Sequence, residues 1–337
     1  MERLKKSFIF LQGLNSYFLR QKFIHFIFFG NYFYALCAVA LSVEASVQQG
    51  IPLNTPTYYF LLASGTIVYY TYAYWGQVNF CGAWRKAALP KIALNKNQYC
   101  NERTQWYVHH FLFITLTQLF FIAVTLASAL YLSIKVFHEI FSLHWIEWLV
   151  LLIVPAVAAL YYSNDYLPFI KINLRKSGWA KPFVIGFVWA AAVTVYPVMF
   201  YKWQMDKHYS PSVEGVWFFI KNWMFITVLC IMFDIKDYAD DYNQNLKTFV
   251  VRVGLRKTIF SILLPISAVG LIAFWIFAAL MRFGIVRIAI NTIPFICLIV
   301  VAYSMYRRKS ILYYLMVIDG LMLLKALCGI TASWWAK

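Results

Sequence analysis

Polar and apolar positions along this chain alternate in blocks of about twenty residues, not with the short period of an amphipathic helix or strand. Nine apolar runs stand out, at 23–43, 57–80, 107–132, 145–162, 182–201, 215–233, 258–280, 285–303 and 311–330. A helix of about 20 apolar residues spans the ~30 Å hydrocarbon core of a bilayer. Lipid offers no water to satisfy open backbone groups, so runs of this kind are read as helices. The pattern predicts an all-α, polytopic membrane helical bundle of about nine transmembrane helices, built as one integral membrane domain over residues 1–337. The first run begins only near residue 23 and is one of nine, so the N-terminus does not read as a cleavable signal. The longer polar stretches, 81–106 and 234–257, are predicted as loops on one side of the membrane, at the mouth of a cavity.

Charge orients the runs. The N-terminal segment and the second, fourth, sixth and eighth connections carry 22 of the 30 Lys and Arg, against six in the connections between them and at the C-terminus. Lys and Arg accumulate on the cytoplasmic side, so the asymmetry predicts an N-in, C-out topology. The same distribution removes the nucleic-acid reading that a net charge of +17 would otherwise invite, because the cations form no single patch. Composition agrees: the chain is 62% hydrophobic and 13% charged, where soluble domains run near ~45–50% and ~25%. The six cysteines are scattered without CxxC spacing, which supports neither a disulfide framework nor a zinc site.

The chemistry concentrates where the sixth run ends. Four of the seven aspartates fall within FDIKDYADD, as Asp234, Asp237, Asp240 and Asp241. If the helix continues at about 100° per residue, Asp234, Asp237 and Asp241 share a face and Asp240 turns away. Three carboxylates on one face repel one another unless a cation lies between them. Oxygen donors at this spacing suit Mg²⁺, which takes carboxylates together with waters and phosphate oxygens. The alternative is a solvated acidic helix end balanced by neighbouring lysines.

The segment DIKDYADD…KTFVVRVG resembles the second aspartate-rich motif of the UbiA-type intramembrane prenyltransferases, with Asp234, Asp237, Asp241, Thr248, Arg252 and Gly254 on the motif. The stretch YYSNDYLPFIKINLRKSGWAKP is similar to that family's tyrosine and basic pair before the fifth span, at Tyr162, Arg175 and Lys176. The resemblance implies a membrane prenyltransferase that moves a polyprenyl group from a diphosphate donor to a lipophilic, aromatic acceptor. It implies Mg²⁺ on Asp234, Asp237 and Asp241, and diphosphate contacts from Arg175, Lys176, Lys247 and Arg252. Two departures mark this chain. Asn245 stands where the motif has glycine. The family's first aspartate-rich motif, after the second span, is missing, since no aspartate precedes Asp165. Losing a cation site beside a leaving diphosphate removes stabilisation worth several kcal/mol, which Arg85, Lys86, Lys91 or Lys96 could replace.

Near the end of the second run, Tyr70, Tyr74, Gln77 and Asn79, with Tyr162, are candidates to line the cavity. Aromatic residues at that depth equally form an interfacial belt. Asp319 lies mid-span, where an ionisable group is functional by default. Lys221 and Lys325 are read as snorkelling towards the outer surface, His109 and His110 as interfacial, and Glu147 has no visible role. Two rival classes stay open: a diverged family member that binds without catalysis, and a transporter or binding protein for an isoprenoid-type ligand. A transporter calls for broken spans near mid-membrane; Pro155, Pro265 and Pro294 are the candidates.

Overall fold

The structure is a computed structural model describing residues 22–80, 102–135, 143–166, 180–236, 238, 242, 248–307, 309–310 and 313–335, with the side chains of 73–80, 102, 104 and 161–166 outside the description. Among the described residues the regular elements are all helical. We number them α1 (Lys22–Phe29), α2 (Tyr32–Gln48), α3 (Pro56–Phe80), α4 (Glu102–His109), α5 (Phe111–Lys135) and α6 (Trp145–Tyr166). There follow α7 (Lys181–Trp203), α8 (Val213–Lys236), α9 (Phe249–Val253), α10 (Leu255–Leu280), α11 (Ile285–Ser304) and α12 (Tyr314–Trp335).

Six helices (α5, α7, α8, α10, α11 and α12) are long and apolar enough to cross a membrane, and α1 with α2, bent by 57°, makes a seventh if the pair is one span. The chain thus has the make-up of a multi-pass membrane protein. All nine predicted runs fall on helices. Of the remaining two, α3 is interrupted by Tyr, Gln and Asn near its end, and the apolar part of α6, Trp145–Leu160, is short. The predicted loops are partly helical: α4 occupies the end of 81–106, and 234–257 begins inside α8 and ends with α9 and the start of α10.

The chain divides into two compact units, with the boundaries inside α2, ahead of α3 and inside α5. In the first, comprising residues 1–36 and 56–131, the bend between α1 and α2 is organised by Asn31. Its φ of 64° is a left-handed conformation that Asn tolerates better than most residues. The bend frees the carbonyl of Phe29, which accepts from the Tyr107 hydroxyl at 2.9 Å. Asn31 Nδ2 donates to Thr71 Oγ1 at 3.0 Å and to Tyr107 Oη at 3.1 Å, and its Oδ1 accepts from Arg103. A broken helix inside an apolar unit is therefore satisfied by side chains from α3 and α4. On α5, Leu112, Leu116, Phe120, Leu126 and Leu130 are all more than 60% exposed, the stripe expected to meet lipid acyl chains.

The second unit comprises residues 37–55 and 132–337. Its centre is α8, which packs against α7 and α10, while α11 packs against α10 and α12. Gly186 of α7 lies directly against Thr227 and Trp223 of α8, and its missing side chain sets how closely the two helices approach. Phe218, Phe225, Phe274, Phe277 and Phe295 fill the space between α8, α10 and α11. Three stretches widen to π-helix, Ala191–Val195 in α7, Thr258–Leu263 in α10 and Tyr314–Ile318 in α12. Pro197 and Pro265 follow the first two. A proline has no N–H to give and its ring collides with the carbonyl four residues back, so the preceding turn opens. The third has no proline and ends at Asp319, which is 1% exposed.

Candidate functional site

Helix α8 carries the acidic segment. Its apolar face holds it in the core as far as Ile235, so Asp234 is drawn inside with it and is only 5% exposed. Lys181, the first residue of α7, donates from Nζ to Asp234 Oδ1 at 2.9 Å. This joins the end of α8 to the start of α7, which run antiparallel. Beyond Lys236 the rings of Tyr238 and Tyr242 lie 6.1 Å apart. Asp237, Asp240 and Asp241 lie outside the described residues, as do Arg175, Lys176 and Lys247. Arg252 is exposed on α9. Just after it, Gly254 takes φ 87°, a backbone that disfavours any Cβ, and there α9 turns into α10. That is the physical reason for the glycine in the R-x-G triplet.

Of the candidate cavity residues, Tyr70 is half-buried with its ring stacked on Tyr34 at 4.9 Å. The side chains of Tyr74, Gln77, Asn79 and Tyr162 lie outside the description. His109 and His110 are both exposed.

Lys221 and Lys325 overturn the expectation that they snorkel. They are 1% and 3% exposed, and Glu44 of α2, 0% exposed, lies between them. Glu44 Oε1 accepts from Lys221 at 3.2 Å and Oε2 from Lys325 at 2.6 Å. Gln48 Oε1 accepts from Lys221 at 3.0 Å, and Gln48 Nε2 donates to Asn291 Oδ1. The Lys221 ammonium also sits 4.1 Å from the centroid of the Phe218 ring, with those of Phe274 and Phe277 at 5.2 and 5.6 Å. Their electron-rich faces attract a cation. Four helices, α2, α8, α11 and α12, thus meet at one buried ionic network. No sequence window contains it, because Glu44 and its two lysines are separated by 177 and 281 residues.

Glu147, in the first turn of α6, also has a role that its surroundings in sequence conceal. It is 0% exposed. Oε1 accepts from Trp203 Nε1 at 2.9 Å and from the Tyr209 backbone N–H at 2.6 Å. Oε2 accepts from the His144 backbone N–H at 3.0 Å. The only advance signal is the His-x-x-Glu spacing where α6 starts.

Of the three aspartates expected to hold Mg²⁺, only Asp234 lies among the described residues, and its carboxylate is a hard oxygen donor of the kind that ion takes. Lys181 already provides one positive charge there. Compared with models of protein families, with curated proteins and with solved structures, the chain matches none.

Proposed function

We propose that the chain is a membrane prenyltransferase of the UbiA type, transferring a polyprenyl group from a diphosphate donor to a lipophilic, aromatic acceptor. In this reading it spans the membrane nine times, N-in and C-out, with the Asp234 end on the cytoplasmic side; in a bacterium that membrane is the inner or plasma membrane. The observation that carries the proposal is Asp234, which leads the D-x-x-D-x-x-x-D segment from a buried position fixed by Lys181. A first carboxylate held rigidly gives the acidic face a defined place to bind.

The transfer breaks the C1–O bond of an allylic diphosphate, and negative charge develops on the departing phosphate oxygens. Preorganised cations near those oxygens lower the barrier, because they stabilise charge that is larger in the transition state than in the substrate. Mg²⁺ on Asp234, Asp237 and Asp241 would supply part of that neutralisation. The remainder falls to the chain's own cations: Arg252, exposed on α9, with Arg175, Lys176 and Lys247 as the other diphosphate contacts. Lys181 is a positioning residue, holding Asp234 in one rotamer. The missing first aspartate motif raises the demand on these basic residues.

Incubating purified protein with radiolabelled polyprenyl diphosphates and an aromatic acceptor, with and without Mg²⁺, tests the reading. Mg²⁺-dependent diphosphate release that falls at least 100-fold in Asp234→Asn is expected. Donor binding and release equal in wild type and Asp234→Asn would remove the proposal.

A second reading, a transporter or binding protein for an isoprenoid-type ligand, draws support from the Glu44 network, since ionisable groups inside a membrane bundle mark ligand or ion paths. Saturable donor binding without release, for every acceptor supplied, selects it.

A further inference from the structure

At the far end of α7 from Asp234, about 33 Å away along the helix, three potential metal ligands converge. They are His144, just ahead of α6, Glu147 in its first turn, and His208 in the connection between α7 and α8. One ligand atom from each lies within 4.8 Å of the others. The two imidazole rings meet edge to face with centroids 4.6 Å apart, and His208 Nδ1 lies 3.0 Å from Glu147 Oε2.

The buried carboxylate is the fixed point. Trp203 and the Tyr209 N–H both hold Oε1, which orients Oε2 towards the histidines. Such hydrogen bonds to a ligating carboxylate are what orients metal ligands in general. Three N–H donors and the His208 ring already hold the two Glu147 oxygens. Glu147 is 0% exposed, and among the described residues no Lys or Arg forms an ion pair with it; its one titratable partner is His208. A cation bound among the three ligand atoms would add a positive partner to this buried carboxylate.

The geometry points to a divalent transition-metal site of the zinc type, with His144, His208 and Glu147 as its three protein ligands and the fourth position left to water. Two imidazoles and one carboxylate form a recognised ligand set for Zn²⁺. Ligand atoms around a tetrahedral zinc stand about 3.3 Å apart, from bond lengths near 2.0–2.1 Å, so closing 4.8 Å requires a shift of about 1.5 Å in one side chain. The histidines can make it: both are exposed, the His208 side chain by 51%. Glu147 need not move. The site is independent of the acidic segment and of the function proposed from it.

The test uses full-length protein in detergent, free of any polyhistidine tag and stripped with chelator. Zn²⁺ is titrated by calorimetry and Co²⁺ by its visible d–d absorption. One ion per chain, with micromolar or tighter affinity and tetrahedral Co²⁺ bands, is expected. His208→Ala and His144→Ala should each weaken binding at least tenfold and abolish the bands, and His144→Ala, which keeps the backbone N–H bond to Glu147, should melt with the wild type in chelator. Zn²⁺ should raise the melting temperature of the wild type alone. Absence of stoichiometric binding, or equal affinity in wild type and both histidine variants, overturns the site. A Glu147 whose only role is to cap α6 gives the former result.

Discussion

Replacing Glu44 by glutamine keeps the size and shape of the side chain and removes one charge. The two lysines it serves are 1% and 3% exposed, at 3.2 and 2.6 Å from its oxygens. Removing one member of a buried ion pair costs about 3–5 kcal/mol, because the remaining charge is desolvated without compensation. Here two ammoniums lose a shared partner and then face each other. The Phe218, Phe274 and Phe277 rings and Gln48 Oε1 keep their contacts with the Lys221 ammonium in the variant, so its charge is not stranded without any partner, which holds the loss towards the lower end. A loss of about 3 kcal/mol is expected, which thermal unfolding in detergent micelles resolves as a clear drop in melting temperature. Adding Lys325→Met to Glu44→Gln removes one stranded charge and should recover more than half of the loss. If Glu44→Gln melts with the wild type, or the double variant is less stable than the single one, Glu44 is not the common counter-ion and the description of the network is wrong.

Two further outcomes follow from packing and hydrogen bonding. A Cβ at Gly186 would overlap Thr227 Oγ1 and press on Thr227 N at 3.1 Å and Trp223 Cδ1 at 3.2 Å, so Gly186→Ala should separate α7 from α8 at a cost of about 1–3 kcal/mol, read as a lower melting temperature. Tyr107→Phe removes one of two donors to the Phe29 carbonyl and one of two acceptors for Asn31 Nδ2, leaving Arg103 and Thr71 as their partners; a loss of about 0.5–1.5 kcal/mol and faster amide exchange around the α1–α2 bend should accompany it.

What the sequence made legible, and what it hid, follows from the range of each interaction. Burial in lipid acts on whole runs of residues, so every apolar run showed where a helix lies. The bend at Asn31 and the π stretches were not visible in that average. The prolines are: Pro265 reads as a possible interruption, and the structure widens the turn ahead of it. Pro155 and Pro294 instead lie within α6 and α11. For the acidic segment, local spacing places i, i+3 and i+7 on one face if the helix continues; Asp234 lies buried at the end of α8, while Asp237 and Asp241 lie outside the described residues. The partner of Asp234 could not be read, since Lys181 is 53 residues away.

Lys221 and Lys325 show where such reading fails, and why. A lysine in an apolar run has two outcomes: its stem reaches the headgroups, or its ammonium finds an anion inside. The choice depends on a free-energy difference set by another helix. Snorkelling costs little when no counter-charge is near; a buried pair is retained only if geometry and extra hydrogen bonds offset desolvation. Glu44 lies one residue past the first apolar run, and it is the one acidic residue of α2. Counting would have exposed it: a carboxylate in one span and a lysine in each of two others are together cheaper inside lipid than any of them alone. Charges within spans are therefore best read jointly, as a set that must nearly balance. By that rule Asp319, 1% exposed at the end of a π stretch, should respond to a charge change in the Glu44 network. Asp319→Asn combined with Glu44→Gln should depart from additivity by more than about 0.5 kcal/mol if the two carboxylates share one field, and add if each is balanced in its own surroundings.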